Sequence, residues 1–237
     1  MPPIIIGSEK MDSFYTDVIQ KIADWMPSLI QASGVTLALS VLSVLAGVVL
    51  SVFLALGKIS HIPVIKQICQ AYVFFFRGTP LLMQLFFLYY TLPIIAPALT
   101  IKSRFFAAWI AFMMNTAAYL AEIIRAAIQS IDYGQFEASK ALGMSYSQTM
   151  RYIIIPQAVR TAIPGVGNEF IMVLKDTSLV AMISLTDLTF QTKQIAISSA
   201  SPLVYIPSMV IYLIFTGVFT AVFNKIEKNF SKYEQNR

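Results

Sequence analysis

Asn115, Tyr119 and Glu122 lie four and three residues apart within an otherwise apolar run, so a helix there carries all three on one stripe. An amide, a phenol and a carboxylate are costly against hydrocarbon, and such a stripe must face protein or a water-filled path. A second polar pair, Asn168 and Glu169, follows Pro164-Gly165-Val166-Gly167. Proline removes a backbone donor and glycine loosens the helix, so this run predicts a helix broken near its centre, with backbone groups exposed beside the pair. Arg77 heads a similar interruption, Arg77-Gly78-Thr79-Pro80. Together the six side chains offer carboxylates to an ammonium group and amides or a guanidinium to a carboxylate. That is the chemistry of holding a zwitterion on a path through a membrane. The alternative is a set of interhelical hydrogen bonds, worth about 1 kcal/mol each, that only hold a bundle together.

Other chemistry finds no residues to carry it. One cysteine, Cys69, excludes an intrachain disulfide, and one histidine, His61, cannot make a metal site with it alone. The scattered carboxylates have no clustered nucleophile or base, which removes a membrane-embedded enzyme. The only Gly-Lys pair, Gly57-Lys58, is followed by Ile59 and lacks the earlier glycine of a phosphate-binding loop. Any ATP-driven step therefore belongs to another chain.

The elements that must position these side chains are membrane helices. Of 237 residues, 57% are hydrophobic and 12% charged, far from the composition of an ordinary soluble domain. The net charge of +5 does not point to nucleic acid, because the basic residues flank apolar runs instead of lining one polar face. Residues 1–27 carry Glu9, Asp12, Asp17 and Asp24 against Lys10 and Lys21, with Phe14, Val18, Ile22 and Trp25 on an apolar side, and predict an amphipathic surface helix. The apolar run at 4–6 is too short for a signal peptide, so insertion falls to the spans. Residues 29–57 contain no charge and exceed the roughly 20 residues needed to cross hydrocarbon. Lys58, His61 and Lys66 follow, which places that loop in the cytoplasm and the amino-terminal arm outside. A second span covers 67–96, interrupted at Arg77 to Pro80, and a short outside loop with Lys102 and Arg104 runs against the positive-inside bias. The third span begins at Phe105, with Arg125 placed to pair with Glu122 at i+3. The fourth begins at Pro156 and is the weakest, because Glu169, Lys175 and Asp176 interrupt it. A polar amphipathic segment at 186–199 precedes a last span at 203–223, and Lys225, Lys228, Lys232 and Arg237 against Glu227 and Glu234 put the tail inside.

Between the third and fourth spans, residues 132–156 form a soluble-looking island. Ala138, Ala141 and Leu142 share one helical face, with Glu137 and Lys140 beside it, and Gly143 ends this short helix. A second helix begins at Ser145, capped reciprocally by Gln148, and stops before Pro156. The small side chains of the first face permit close docking.

Glu137-Ala138-Ser139, Gly143, Ile153, Ile155 and Pro156 resemble the Glu-Ala-Ala loop of bacterial ABC-importer permeases, with Ser139 in place of the second alanine. Three further runs resemble the polar-amino-acid branch of that family. They are Arg77-Gly78-Thr79-Pro80-Leu81-Leu82 with Gln84 and Leu85, Asn115-Thr116-Ala117-Ala118-Tyr119 with Glu122, Arg125 and Ser130, and Lys175-Asp176-Thr177-Ser178-Leu179. Arginine, glutamine, glutamate and histidine systems share most of these runs, and the cystine type is the most similar. The resemblance implies an all-α integral membrane protein of the type I importer permease fold, with five transmembrane helices, a cytoplasmic coupling helix, an outside amino terminus and an inside carboxyl terminus. The expected division is an extracytoplasmic amphipathic segment at 1–27, the transmembrane domain at 28–230 and a cytoplasmic tail at 231–237.

The same resemblance implies a transport subunit and not an enzyme, importing a polar amino acid across a bacterial cell membrane. Glu137, Ala138, Ala141, Gly143 and Pro156 would couple it to a separate ATPase subunit, present in two copies, which binds the ATP and Mg; this chain needs no cofactor or metal of its own. A second permease subunit (a copy or a homologue), an extracellular solute-binding protein and the bilayer complete the expected partners, with no nucleic acid. The alternative is a secondary amino-acid transporter working without an ATPase, which calls for an internal repeat that the sequence does not present.

Overall fold

The computed structural model describes residues 8–231, with side chains from 15 to 230, and every regular element among them is helical. The side chains of Glu9, Lys10, Asp12 and Phe14 and the tail residues Lys232, Glu234 and Arg237, which carry part of the charge and amphipathic pattern, lie outside the described residues. Helix α1, Ser8–Ile59, has 52 residues and is about 78 Å long, more than twice the hydrocarbon thickness of about 30 Å. It passes through Pro27 without ending, so the arm and the first span are one rod over the described residues. Helix α2, Pro63–Gly78, starts with Pro63 where the missing N–H costs nothing. Thr79 and Pro80 are both extended, as the residue before a proline tends to be, and α3, Leu81–Ile95, leaves at an angle of 103°. The expected span at 67–96 is therefore a corner.

Ser103 caps α4, Arg104–Gln129, by accepting from the Phe106 N–H at 3.2 Å. After it come α5, Tyr133–Ala141, and α6, Tyr146–Thr149. A π-helical turn, Met150–Ile154, joins α6 to α7, Ile155–Asp176. A 3-10 turn, Thr177–Ile183, leads to α8, Leu188–Ser198, and then to α9, Tyr205–Ser231.

Helix α4 is the axis of the bundle, packing along α1, α2, α3 and α7. Its Ala107, Ala108, Ala111, Ala117, Ala118 and Ala121 are fully buried. Small side chains let backbones approach, which membrane helices need because lipid offers no hydrophobic drive between them. Leu39 of α1, Leu85 of α3, Phe112 of α4 and Phe170 and Val173 of α7 fill the largest core, while Phe53, Leu45 and Leu213 point outward as lipid-facing side chains.

Two expectations are corrected, and length and composition single out fewer crossings than the five expected. Among the described residues only Tyr15–Ile59, Arg104–Gln129 and Pro202–Phe230 are long and apolar enough to cross a membrane, with a fourth crossing if the bent α2–α3 pair counts as one. Helix α7 has the length, at 22 residues, but Arg160, Asn168, Glu169, Lys175 and Asp176 cost it the composition. The break expected at Pro164 is absent, because α7 continues through it. The glycines there serve packing: a Cβ at Gly167 would stand 2.9 Å from Cγ of Phe223 on α9, and one at Gly165 would stand 2.7 Å from Cγ2 of Ile123 on α4. Nor does Pro156 stop the loop helix. The Ile155 N–H bonds the Met150 carbonyl five residues back, and this wide turn lets Pro156 sit in the first turn of α7 without leaving a donor missing.

Candidate functional site

The corner between α2 and α3 leaves the last carbonyls of α2 without helical partners, and in a bilayer no water replaces them. Side chains do so instead. The Thr79 hydroxyl donates to the Phe75 carbonyl at 2.8 Å. Gln84, buried in the first turn of α3, reaches back with Nε2 to the Phe76 carbonyl (2.9 Å), the Thr79 carbonyl (3.0 Å) and Thr79 Oγ1 (2.8 Å). From α4, Asn115 Nδ2 donates to the Phe76 carbonyl at 2.9 Å and to Gln84 Oε1 at 3.1 Å. Backbone carbonyls only accept, so both amide orientations follow from the network.

Arg77 stands one residue past Phe76 in the last turn of α2, its guanidinium 5.2 Å from the centroid of the Tyr119 ring. Asn115 and Tyr119 are one turn apart on α4, so one helix face holds both the backbone of the corner and its charged side chain. Beside them opens a cavity of about 580 Å³ whose walls include Arg77, Thr79, Asn115, Tyr119, Glu169 and Asp176. The fold thus brings together four of the six expected residues, Arg77, Asn115, Tyr119 and Glu169. Asn168, about 100° further round α7 from Glu169, is exposed and lies off this cavity. Glu122 lies on a neighbouring cavity of about 400 Å³ that shares Arg77 and Tyr119. Its carboxylate is already engaged, by the Lys58 ammonium from the end of α1 and by Arg125, whose Nη2 and Nε donate at 2.6 and 3.0 Å.

Two carboxylates on α7 and one guanidinium on α2 line the larger cavity together, a set able to orient a molecule with a cation at one end and an anion at the other. Asp176 was not among the expected site residues, although its distance of seven residues from Glu169, two helical turns, puts both on one face. Gln84 and Lys58 act through contacts 31 and 64 residues away in sequence, and no local pattern reveals such pairs.

The loop between α4 and α7 is built by caps. The Asp132 carboxylate accepts from the Gly134 N–H at 2.7 Å to start α5. At its end the Gly143 N–H bonds the Lys140 carbonyl and the Met144 N–H bonds the Ser139 carbonyl, each at 3.0 Å, with Gly143 at φ 75°. This Schellman closure needs the left-handed conformation that glycine accepts cheaply. Ser145 and Gln148 form the expected capping box, at 3.3 and 2.8 Å. Ala138, Ala141 and Gly143 are exposed, and Leu142 beside them is 81% exposed, a large apolar side chain with nothing on it. Ser139 instead faces inward, its hydroxyl donating to the Gln135 carbonyl at 2.6 Å. Glu137 and Ala141 border a cleft of about 1180 Å³ between α5, α6 and the end of α1, and Pro156 is exposed at the head of α7.

Known proteins share this architecture. The family model described as binding-protein-dependent transport system inner membrane component matches residues 47–232. The chain is 39% identical over 216 residues to the L-cystine transport system permease protein TcyL of Bacillus subtilis, covering 89% of this chain and 90% of that one. It is 40% identical over 212 residues to the arginine transport system permease protein ArgU of Corynebacterium glutamicum, covering 83% of this chain and 66% of that one. A solved structure described as an amino acid ABC transporter with histidines superposes with a TM-score of 0.81 at 39% identity, over 87% of this chain and 96% of that one. A secondary transporter is set aside by these matches. The chain belongs to the family of binding-protein-dependent transport system inner membrane components, in which it is an integral membrane permease of the polar-amino-acid ABC type.

Proposed function

We propose that this chain lines the path of an ATP-driven amino-acid importer in a bacterial plasma membrane, and that the cavity between α2, α4 and α7 holds the amino acid in transit. The observation that carries this reading is the presence of Arg77, Glu169 and Asp176 in the lining of one cavity. Arg77 meets the substrate's carboxylate, in the bidentate geometry guanidinium favours, and the α7 carboxylates meet its ammonium group. L-cystine, with two ammonium groups, presents a cation to each carboxylate, and the likeness to a cystine permease supports the same substrate. Five crossings, with α7 as the fourth, put the amino terminus outside and the α5–α6 loop in the cytoplasm. There the exposed Ala138, Ala141, Leu142 and Gly143 surface seats in a separate ATPase subunit, two copies of which bind ATP and Mg and serve two permease chains. An extracellular solute-binding protein delivers the substrate. Closure of the ATPase pair draws the two loops together and swings the helices as rigid bodies. Proteoliposomes holding the permease, its ATPase and binding protein test this: accumulation of radiolabelled L-cystine or L-arginine that requires ATP is expected, and accumulation that proceeds unchanged without ATP overturns it.

A further inference from the structure

The polar cluster at the α2–α3 corner does more than satisfy carbonyls. Four of its bonds converge on the two positions that flank Arg77 and Gly78: Gln84 Nε2 and Asn115 Nδ2 both take the Phe76 carbonyl, and Gln84 Nε2 also takes the Thr79 carbonyl and hydroxyl. Thr79 and Pro80 are extended between the two helices, the Pro80 carbonyl accepts from the Met83 and Gln84 N–H groups, and a Cβ placed on Gly78 would meet nothing within 4 Å. Arg77 lies in the last helical turn of α2, so where its side chain enters the cavity depends on how that turn is held, and Gln84 from α3 and Asn115 from α4 hold it by the Phe76 carbonyl. Gln84 is buried at 6% exposure and does not line the cavity. Its amide is satisfied on both sides, by three acceptors and one donor.

We propose that Gln84 is a positioning residue: by clamping the Phe76 and Thr79 carbonyls it aims Arg77 into the cavity, so that recognition of a substrate's carboxylate depends on a side chain that never touches substrate. This rests on the reading of the cavity as the amino-acid site. Replacing Gln84 leaves the Phe76 carbonyl held by Asn115 alone and frees the Thr79 carbonyl. The last turn of α2 then loses its tie to α3, and the guanidinium it carries loses its register with the cavity while Glu169 and Asp176 on α7 keep theirs. The consequence is selective, because affinity for the carboxylate end falls and affinity for the ammonium end does not.

The test is direct binding to the assembled permease–ATPase complex, without binding protein, using L-cystine and L-arginine as probes, each against its carboxamide. Wild type is expected to prefer the free acid. Gln84→Leu and the slimmer Gln84→Met should lower that preference by about tenfold through weaker binding of the acid, with carboxamide binding unchanged. Arg77→Gln should do the same, and Arg77→Gln with Gln84→Met should be no worse than Arg77→Gln alone. A residue that merely holds the bundle together would weaken acid and amide equally and add its loss to that of Arg77→Gln, and that result overturns the proposal. A second readout does not use substrate. In a Cys69→Ser background, the labelling rate of a thiol introduced by Arg77→Cys should change about fivefold when Gln84→Met is added, and an unchanged rate overturns the proposal whatever the binding data. Wild type that binds neither acid overturns the reading of the cavity itself, and is seen before any Gln84 variant is made.

Discussion

Glu122 carries two cations, Lys58 from the last turn of α1 and Arg125 from its own helix, while Glu169 shares a cavity with Arg77. The Glu122 and Lys58 side chains are only 17% and 13% exposed, so solvent screens their pairing little. Glu122→Gln strands two cations and should cost on the order of 1–3 kcal/mol, read as a lower melting temperature of the purified complex. Adding Lys58→Met to Glu122→Gln should restore part of that loss, and full additivity of the two changes would show that they do not interact. The pairing of Glu122 with Arg125 was legible in the sequence because both partners sit on one helix, three residues apart. Lys58 was legible only as a charge flanking a span, since its partner is 64 residues away. For the same reason a helical stripe located Asn115, Tyr119 and Glu122 on one face but could not say that Asn115 spends its amide on a backbone carbonyl.

Caps made the α5–α6 loop readable, because each cap is a local bond between residues a few positions apart. At Gly143 no atom lies within 4 Å of where a Cβ would stand, so a substitution there is penalised by its backbone alone. Gly143→Val should cost the loop about 1–2 kcal/mol, weaken co-purification of the ATPase subunit and uncouple hydrolysis from transport. Gly143→Asn, which tolerates the left-handed region, should retain both, and equal behaviour of the two variants would remove the loop's conformation from the account. Asp187 makes a second element-level case, in the connection between α7 and α9. Its carboxylate is fully buried and accepts from the Phe190 and Thr189 N–H groups at 2.8 and 3.1 Å to start α8. Burial pushes its carboxyl up to about 6, against the backbone N–H bonds that hold it down. Between about pH 4 and that value the folded protein holds a proton the unfolded chain has lost, so stability contributed at Asp187 falls as pH rises through this window. Asp187→Asn should flatten that slope in thermal scans, and an identical slope in the variant would contradict the assignment. Prolines inside helices were the elements' least readable residues. Pro27 and Pro164 sit inside continuous helices, and whether a proline ends a helix is decided by the neighbours that pack on it, which the chain order does not disclose.

Composition settles that the whole molecule belongs in a membrane, but not how often it crosses. Helix α7 carries charge and α2 turns a corner, so among the described residues three helices, or four with the bent pair taken as one, are long and apolar enough to cross. With five crossings, a thiol introduced by Ser145→Cys should stay unlabelled by an impermeant reagent in intact cells and one introduced by Ser199→Cys should be labelled, each in a Cys69→Ser background. The reverse pattern would invert the topology and remove the loop from the ATPase's side of the membrane. Charge of both signs lining one cavity, joined by a continuous run of α6, π turn and α7 to a surface that an ATPase can grip, is the whole-molecule claim. Its most direct test is the amount of amino acid carried per ATP hydrolysed by reconstituted complexes bearing Glu169→Gln with Asp176→Asn. The prediction is uptake lowered by about tenfold or more, with ATP hydrolysis within about twofold of wild type and assembly intact. Uptake equal to wild type would show that the substrate does not pass between these carboxylates and Arg77.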